Sequence, residues 1–222
     1  MDRRRVNWTV RAFAAVLGVL AALLMSGPTT GIAHAAVAAP AGDVIAIGDP
    51  HALGVVDLYV DPMCPYSGQM VQEQGDEIGR RIEDGRLRVN LRFVDFLDRY
   101  SASKTYDIRA IYAAFVVADQ SRSSDIAWRF VQQIFSAEQQ PEEGGATDLD
   151  NNQLAELANR VGASPPAQDL IRLGLPIGFD ARPIAANNLA LLRKFPEPGV
   201  PTVVINGVPV DGNTEWLDQL PG

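Results

Sequence analysis

The chain has 222 residues and sets 19 Lys and Arg against 27 Asp and Glu, a formal charge of −8. Such an acidic chain repels polyanions, which argues against nucleic-acid binding. One cysteine and two histidines exclude an internal disulfide framework and leave too few ligands for a zinc or haem site, so no metal and no cofactor is expected.

Arg3, Arg4, Arg5 and Arg11 flank or precede an apolar stretch from Ala12 to Met25, and small residues follow through Ala33-His34-Ala35. This is the basic, apolar, small-residue order of a secretory signal peptide, expected over residues 1–35 with cleavage before Ala36. The apolar stretch falls short of the roughly 20 residues of a membrane span. The alternative is an uncleaved N-terminal anchor, the one route to a membrane that the sequence offers. Residues 36–222 make one domain of ordinary size, expected outside the cytoplasm, either secreted or in a periplasm or cell envelope.

Residues 36–52 read as a loose entry containing Ala, Gly and Pro. "GVVDLYV" (54–60) reads as a buried strand bounded by Gly54 and Asp61-Pro62. Pro65 opens a helix in which Val71, Ile78 and Ile82 recur at helical spacing up to a stop at Gly85. "RLRVNLRFVDF" (86–96) alternates as a second strand. Ile108, Ile111, Tyr112 and Phe115 mark one helix. Ile126, Phe130, Val131 and Ile134 mark another behind a Ser123/Ser124 cap. Residues 141–152 form an acidic loop. In it, "DLDNN" (148–152) lacks the glycine and terminal acid of a calcium loop and reads as solvated. Leu154, Leu157, Ala158 and Val161 predict a third helix ending at Gly162, and Ile184, Leu191, Leu192 and Phe195 a fourth. "PTVVING" and "VPV" form a hairpin turning at Asn206-Gly207, and "TEWLDQL" (214–220) a closing helix. Arg80-Arg81 and Arg86/Arg88 read as solvated faces, and Trp128 and Tyr112 as core.

Cys64 carries the chemistry. With Pro65 at the first helical position it falls at the helix N-cap. There the free amides of Tyr66 and Ser67 and the positive end of the helix dipole favour thiolate over thiol, and the Ser67 hydroxyl adds a donor. A partly exposed, nucleophilic cysteine is expected; the alternative is an inert packed one. His51 is the one histidine that would remain after cleavage, so a thiolate–imidazole pair would have to use it. Pro201 precedes a Val-rich strand; it is either an ordinary first strand residue or the second residue of a cis Val200–Pro201 bond.

Together "GDPHALGVVDLYVDPMCPYSGQM" and the distant "GVPTVVING" resemble the DsbA-like thiol–disulfide oxidoreductases of the thioredoxin superfamily, from about Gly48 to the end. The resemblance implies an α/β thioredoxin fold whose β-α-β and β-β-α halves are separated by a helical insertion, about residues 101–196. It makes Cys64 the attacking cysteine and Val200-Pro201 the cis-proline loop that, with Pro65 and Tyr66, meets a bound peptide. Two departures stand out. The family's C-P-x-C is here Cys64-Pro65-Tyr66-Ser67, with a serine in place of the resolving thiol. The acidic residue expected six positions before the attacking cysteine is Leu58, and the neighbouring Asp57 should face the other side of its strand.

Three functions follow. The first is monothiol exchange, in which Cys64 forms a mixed disulfide that a substrate thiol or a small external thiol must resolve. Its partners would be protein or peptide thiols and disulfides. The second is a non-catalytic peptide- or partner-binding module with a vestigial thiol. The third is a covalent dimer through Cys64.

Overall fold

The computed structural model describes residues 36–221; the signal peptide expected over residues 1–35 lies outside them. The strands are β1 (Val37–Ala41), β2 (Val44–Gly48), β3 (Gly54–Val60), β4 (Leu87–Phe93), β5 (Thr202–Ile205) and β6 (Val208–Asp211). The helices are α1 (Pro65–Glu83), α2 (Tyr106–Ser121), α3 (Ser124–Ile134), α4 (Asn151–Arg160), α5 (Pro165–Leu173) and α6 (Ala181–Leu192). All strands join one sheet in the order β1-β2-β4-β3-β5-β6. β3 and β4 run parallel, as the crossover through α1 requires, and every other pair is antiparallel. The β-α-β half is thus β3-α1-β4, and five helices separate it from the β5-β6 hairpin.

Alternation along β3 decides which residues meet which layer. Val56, Leu58 and Val60 join Val71, Ile78 and Ile82 of α1 and the aromatic side chains of α2 and α3 in the main core. Each such side chain stabilises the fold by about 1.5–3 kcal/mol when fully buried. On the opposite face Tyr59, Val94 and Val204 pack against Leu192, Leu189 and Phe195 at the end of α6. Asp57 lies on this second face, paired with Arg92 at 3.1 Å, while Leu58 is fully buried. Buried Asn188 ties α6 down by donating to the carbonyls of Asp43 and Phe93.

Several expectations are corrected. Residues 36–52 are not a loose entry. They hold the β1–β2 hairpin, whose Gly42-Asp43 turn places Gly42 at φ +63 and whose second strand pairs with β4. α5 is a further helix that the hydrophobic pattern does not announce, because its buried face is short, with only Ala167 and Ile171 buried. "DLDNN" is no plain solvated loop: Asp150 caps α4 in a reciprocal capping box with Gln153, and Asp148 pairs with Arg109. The closing helix is a single 3-10 turn, Trp216–Gln219. Arg81 is not merely solvated; it donates to the Leu217 carbonyl and so fastens that turn to α1. Trp128 is core, as read, and its ring nitrogen donates to the Gly75 carbonyl.

Candidate active site

β3 delivers the chain to Asp61, and the turn Asp61–Cys64 closes with the Cys64 amide donating to the Asp61 carbonyl at 3.0 Å. Cys64 is the N-cap of α1, with extended backbone (φ −67, ψ 118), and Pro65 follows inside the first turn. The Val200–Pro201 peptide is cis. It brings the Val200 carbonyl to the thiol, which donates to it at 3.5 Å. Gly212 makes this approach feasible. A side chain there would come within 2.8 Å of Pro201 and 3.0 Å of the Met70 sulfur. Instead the Gly212 amide donates to the Pro201 carbonyl. Ser67 is buried, with its hydroxyl facing the Asp61 amide.

The packing that assembles the site also changes its electrostatics. Cys64 is only 5% exposed, not partly exposed as expected. Burial pushes its thiol up; the Ser67 amide, the Ser67 hydroxyl and the Tyr66 amide pull the other way, and the Asp61 carboxylate adds to the upward push. The donors sit beyond regular cap hydrogen-bond geometry, so desolvation wins and the expected lowering is not found.

Beneath the turn lies a feature that sequence reading missed. Asp61 and Asp107 are both fully buried. Asp61 accepts from the amides of Met63 and Leu97. The Asp107 carboxyl oxygens receive no donor and face Asp61. Two carboxylates in one dry site cannot both be charged. The charge belongs on Asp61, which has the donors, and the proton on Asp107. Burial raises both, Asp61 to about 7 and Asp107 further. Asp98 adds to the cluster by accepting from the Asp107 amide. The available signal was a lone Asp at the start of α2, where an N-terminal acid is ordinary.

Beside the thiol opens a groove of about 540 Å³ lined by residues including Tyr66, Val200 and Pro201. Cys64, Pro65, Tyr66, Ser67, Val200 and Pro201 are therefore gathered at one place from two distant segments. His51 is not among them. It lies ahead of β3 and Cys64 lies beyond it, so the strand's length of ~20 Å separates them and no thiolate–imidazole pair forms. Among the described residues no cluster of three or more His, Cys, Asp or Glu is placed to hold a metal, and no helix is long and apolar enough to cross a membrane.

The helical insertion reaches into the thiol turn through Gln140, whose side-chain amide donates to the carbonyls of Pro62 (3.1 Å) and Cys64 (3.0 Å). A Cβ on Gly68 would collide with the Gln140 carboxamide oxygen. Gly68→Ala should therefore cost about 1–3 kcal/mol by overpacking. In a Gln140→Ala background the same change should be neutral or gain up to about 1 kcal/mol of helix propensity. Urea denaturation of the four proteins measures this coupling; additive effects would mean that Gly68 serves some other contact.

Comparison with known proteins agrees with this architecture. The thioredoxin family profile Thioredoxin_4 matches residues 41–219. Serine/threonine-protein kinase PknE of Mycobacterium tuberculosis is 32% identical over 181 residues, 81% of this chain and 32% of that protein. The chain thus spans about a third of the length of the curated relatives it matches. MdbA, a thiol-disulfide oxidoreductase from Corynebacterium matruchotii, superposes with a TM-score of 0.70 at 26% identity, covering 84% of this chain and 92% of that one. Reduced DsbA from Mycobacterium tuberculosis does so at 0.59 and 27% identity, covering 79% and 84%. With the family profile spanning both the Cys64 turn and the Val200–Pro201 loop, the chain belongs to the thioredoxin family Thioredoxin_4 and has the α/β fold of the DsbA-type thiol-disulfide oxidoreductases.

Proposed function

We propose that the protein is an exported monothiol exchange protein, its leader ending near residue 35 and its remaining residues 36–222 forming one DsbA-like domain. Cys64 attacks one sulfur of a substrate disulfide. A Cys64–substrate disulfide forms, the original S–S bond breaks, and the departing thiolate takes a proton. Release needs a second thiol. A substrate thiol returns Cys64 and leaves a rearranged disulfide, with no net oxidation. An external small thiol returns Cys64 while forming its own disulfide with the substrate, and a second such thiol completes reduction. Ser67 stabilises the attacking thiolate, and Tyr66, Pro65, Val200 and Pro201 hold the peptide.

The observation that carries this reading is the sulfur at the end of α1 against the Val200 carbonyl, beside an open groove. It is tested by the recovery of native protein from a scrambled-disulfide substrate in a small-thiol buffer. Wild type should accelerate recovery, and Cys64→Ala should fall to the buffer rate. Equal rates would remove the catalytic reading. The burial of Cys64 and its upward-pushed thiol favour a second reading, a peptide-binding module in which the thiol is idle.

A further inference from the structure

The groove beside Cys64 is built from the loop after α6, the cis-proline turn, β6 and Tyr66. Its walls are apolar: Tyr66, Val200, Pro201, Pro209 and Val210. Among the described residues, the charged ones in its lining are Glu197 and Asp211, both exposed, and neither Lys nor Arg lines it. Glu197 comes from the loop between α6 and β5, Asp211 from the far end of β6, so the two carboxylates belong to separate segments. Asp211 is held in place, its carboxylate accepting from the Asn213 amide and its carbonyl from the Thr214 hydroxyl. The nearest cations in sequence, Arg193 and Lys194, close α6 outside the lining. The chain's charge of −8 adds a field of the same sign.

We infer that this groove selects peptides carrying Lys or Arg beside the cysteine to be attacked, with an apolar residue against Tyr66 and Pro201. The inference rests on the exchange reading for the fate of the disulfide, but the charge selection acts on binding and is separable from it. A cationic segment gains from both carboxylates and from the field of the chain; an acidic segment is repelled by each. Complementarity of this kind speeds docking of the matching partner, and like charge weakens binding of the wrong one.

The test uses two short peptides of identical apolar sequence, one with Lys and one with Glu on both sides of a cysteine disulfide-bonded to thiopyridine. Attack by Cys64 on the peptide sulfur forms the Cys64–peptide disulfide and releases pyridinethione, which takes the proton and is read by its absorbance. The Lys peptide should react about ten-fold faster than the Glu peptide at low salt, and the ratio should shrink as salt screens exposed charge. Glu197→Lys combined with Asp211→Lys should invert the order. Binding of the same peptides with serine in place of cysteine, followed by fluorescence anisotropy, separates the two ideas. No pyridinethione release but tighter Lys-peptide binding would overturn exchange and sustain the selection. Equal binding of the two peptides, or a Lys preference retained by the double variant, would overturn the selection.

Discussion

Ser67→Cys is expected to turn a protein that traps its substrate into one that releases it. On the proposed mechanism a mixed disulfide on Cys64 has no internal exit in the wild type, because the hydroxyl of Ser67 cannot displace a thiolate. A thiol introduced at this position would sit in the same buried place, one turn into α1 and against the Cys64 turn. Its attack would be intramolecular, and well-placed intramolecular groups outcompete dilute external ones by many orders of magnitude. The fraction of protein held as mixed disulfide should fall at least about ten-fold, and an internal disulfide between Cys64 and the introduced thiol should appear in its place. The Asp61 amide faces the residue-67 side chain, but its carboxylate accepts from the Met63 and Leu97 amides, so with buried Leu58 in place of an acid the restored turnover should stay modest. Persistence of the adduct in Ser67→Cys, at wild-type levels, would show that residue 67 has no access to the Cys64 sulfur.

The Asp61–Asp107 pair should make the protein more stable in mild acid than in mild base. Both carboxyls hold protons in the folded state at pH values where the unfolded chain has released them, since their folded values are raised. Folding therefore takes up protons, and stability falls as pH rises above the unfolded value of about 4. The loss from Asp61 runs up through its folded value of about 7. Asp107 extends it to higher pH. Between pH 4 and 8 the expected loss from Asp61 alone is about 4 kcal/mol, and Asp107 adds to it in the same direction. Glu77 works in the opposite direction, lowered to about 2 by Arg80 and Arg81, but it is solvent-facing and screened. Asp107→Asn supplies a donor to Asp61 without holding a proton. It should flatten the profile and raise stability at pH 8 by about 1–3 kcal/mol, the usual cost of a mispaired buried polar group. Thermal unfolding of both proteins across this range is the measurement. A wild-type profile that rises from pH 5 to pH 8 would place the pair in water rather than in the core.

The elements that sequence reading recovered are those with a strong local signal. β3 ends before Asp61-Pro62 and α1 begins at Pro65, and the Asn206-Gly207 turn carries the positive φ values, 51 and 82, that its hairpin needs. The placing of Cys64 at the end of α1 followed from Pro65 alone. What escaped depends on distant segments. β1, Val-Ala-Ala-Pro-Ala, is a strand because β2 offers it an edge, while β2, Val-Ile-Ala-Ile-Gly, carries a buried β-branched run of its own that pairs with β4 and is hidden by the Ala, Gly and Pro around it. The burial of Cys64 comes from a loop that contacts it across 136 positions of sequence, so local reasoning about helix amides saw the stabilising half of its electrostatics and missed desolvation. Asp61 and Asp107 are likewise ordinary one at a time. Only the packing of α2 against the Cys64 turn makes them a pair.

The central claim, that Cys64 is a working nucleophile without an internal exit, is tested most directly by intact-mass spectrometry. Reduced protein is mixed with a disulfide peptide, and a small thiol is then added. The wild type should gain the mass of one peptide through Cys64, keep it until the thiol is added, and lose it afterwards; Cys64→Ala should gain nothing. A wild type that stays at its free mass, while Ser67→Cys under the same conditions turns the peptide over, would contradict the monothiol mechanism and leave the groove as a binding site alone.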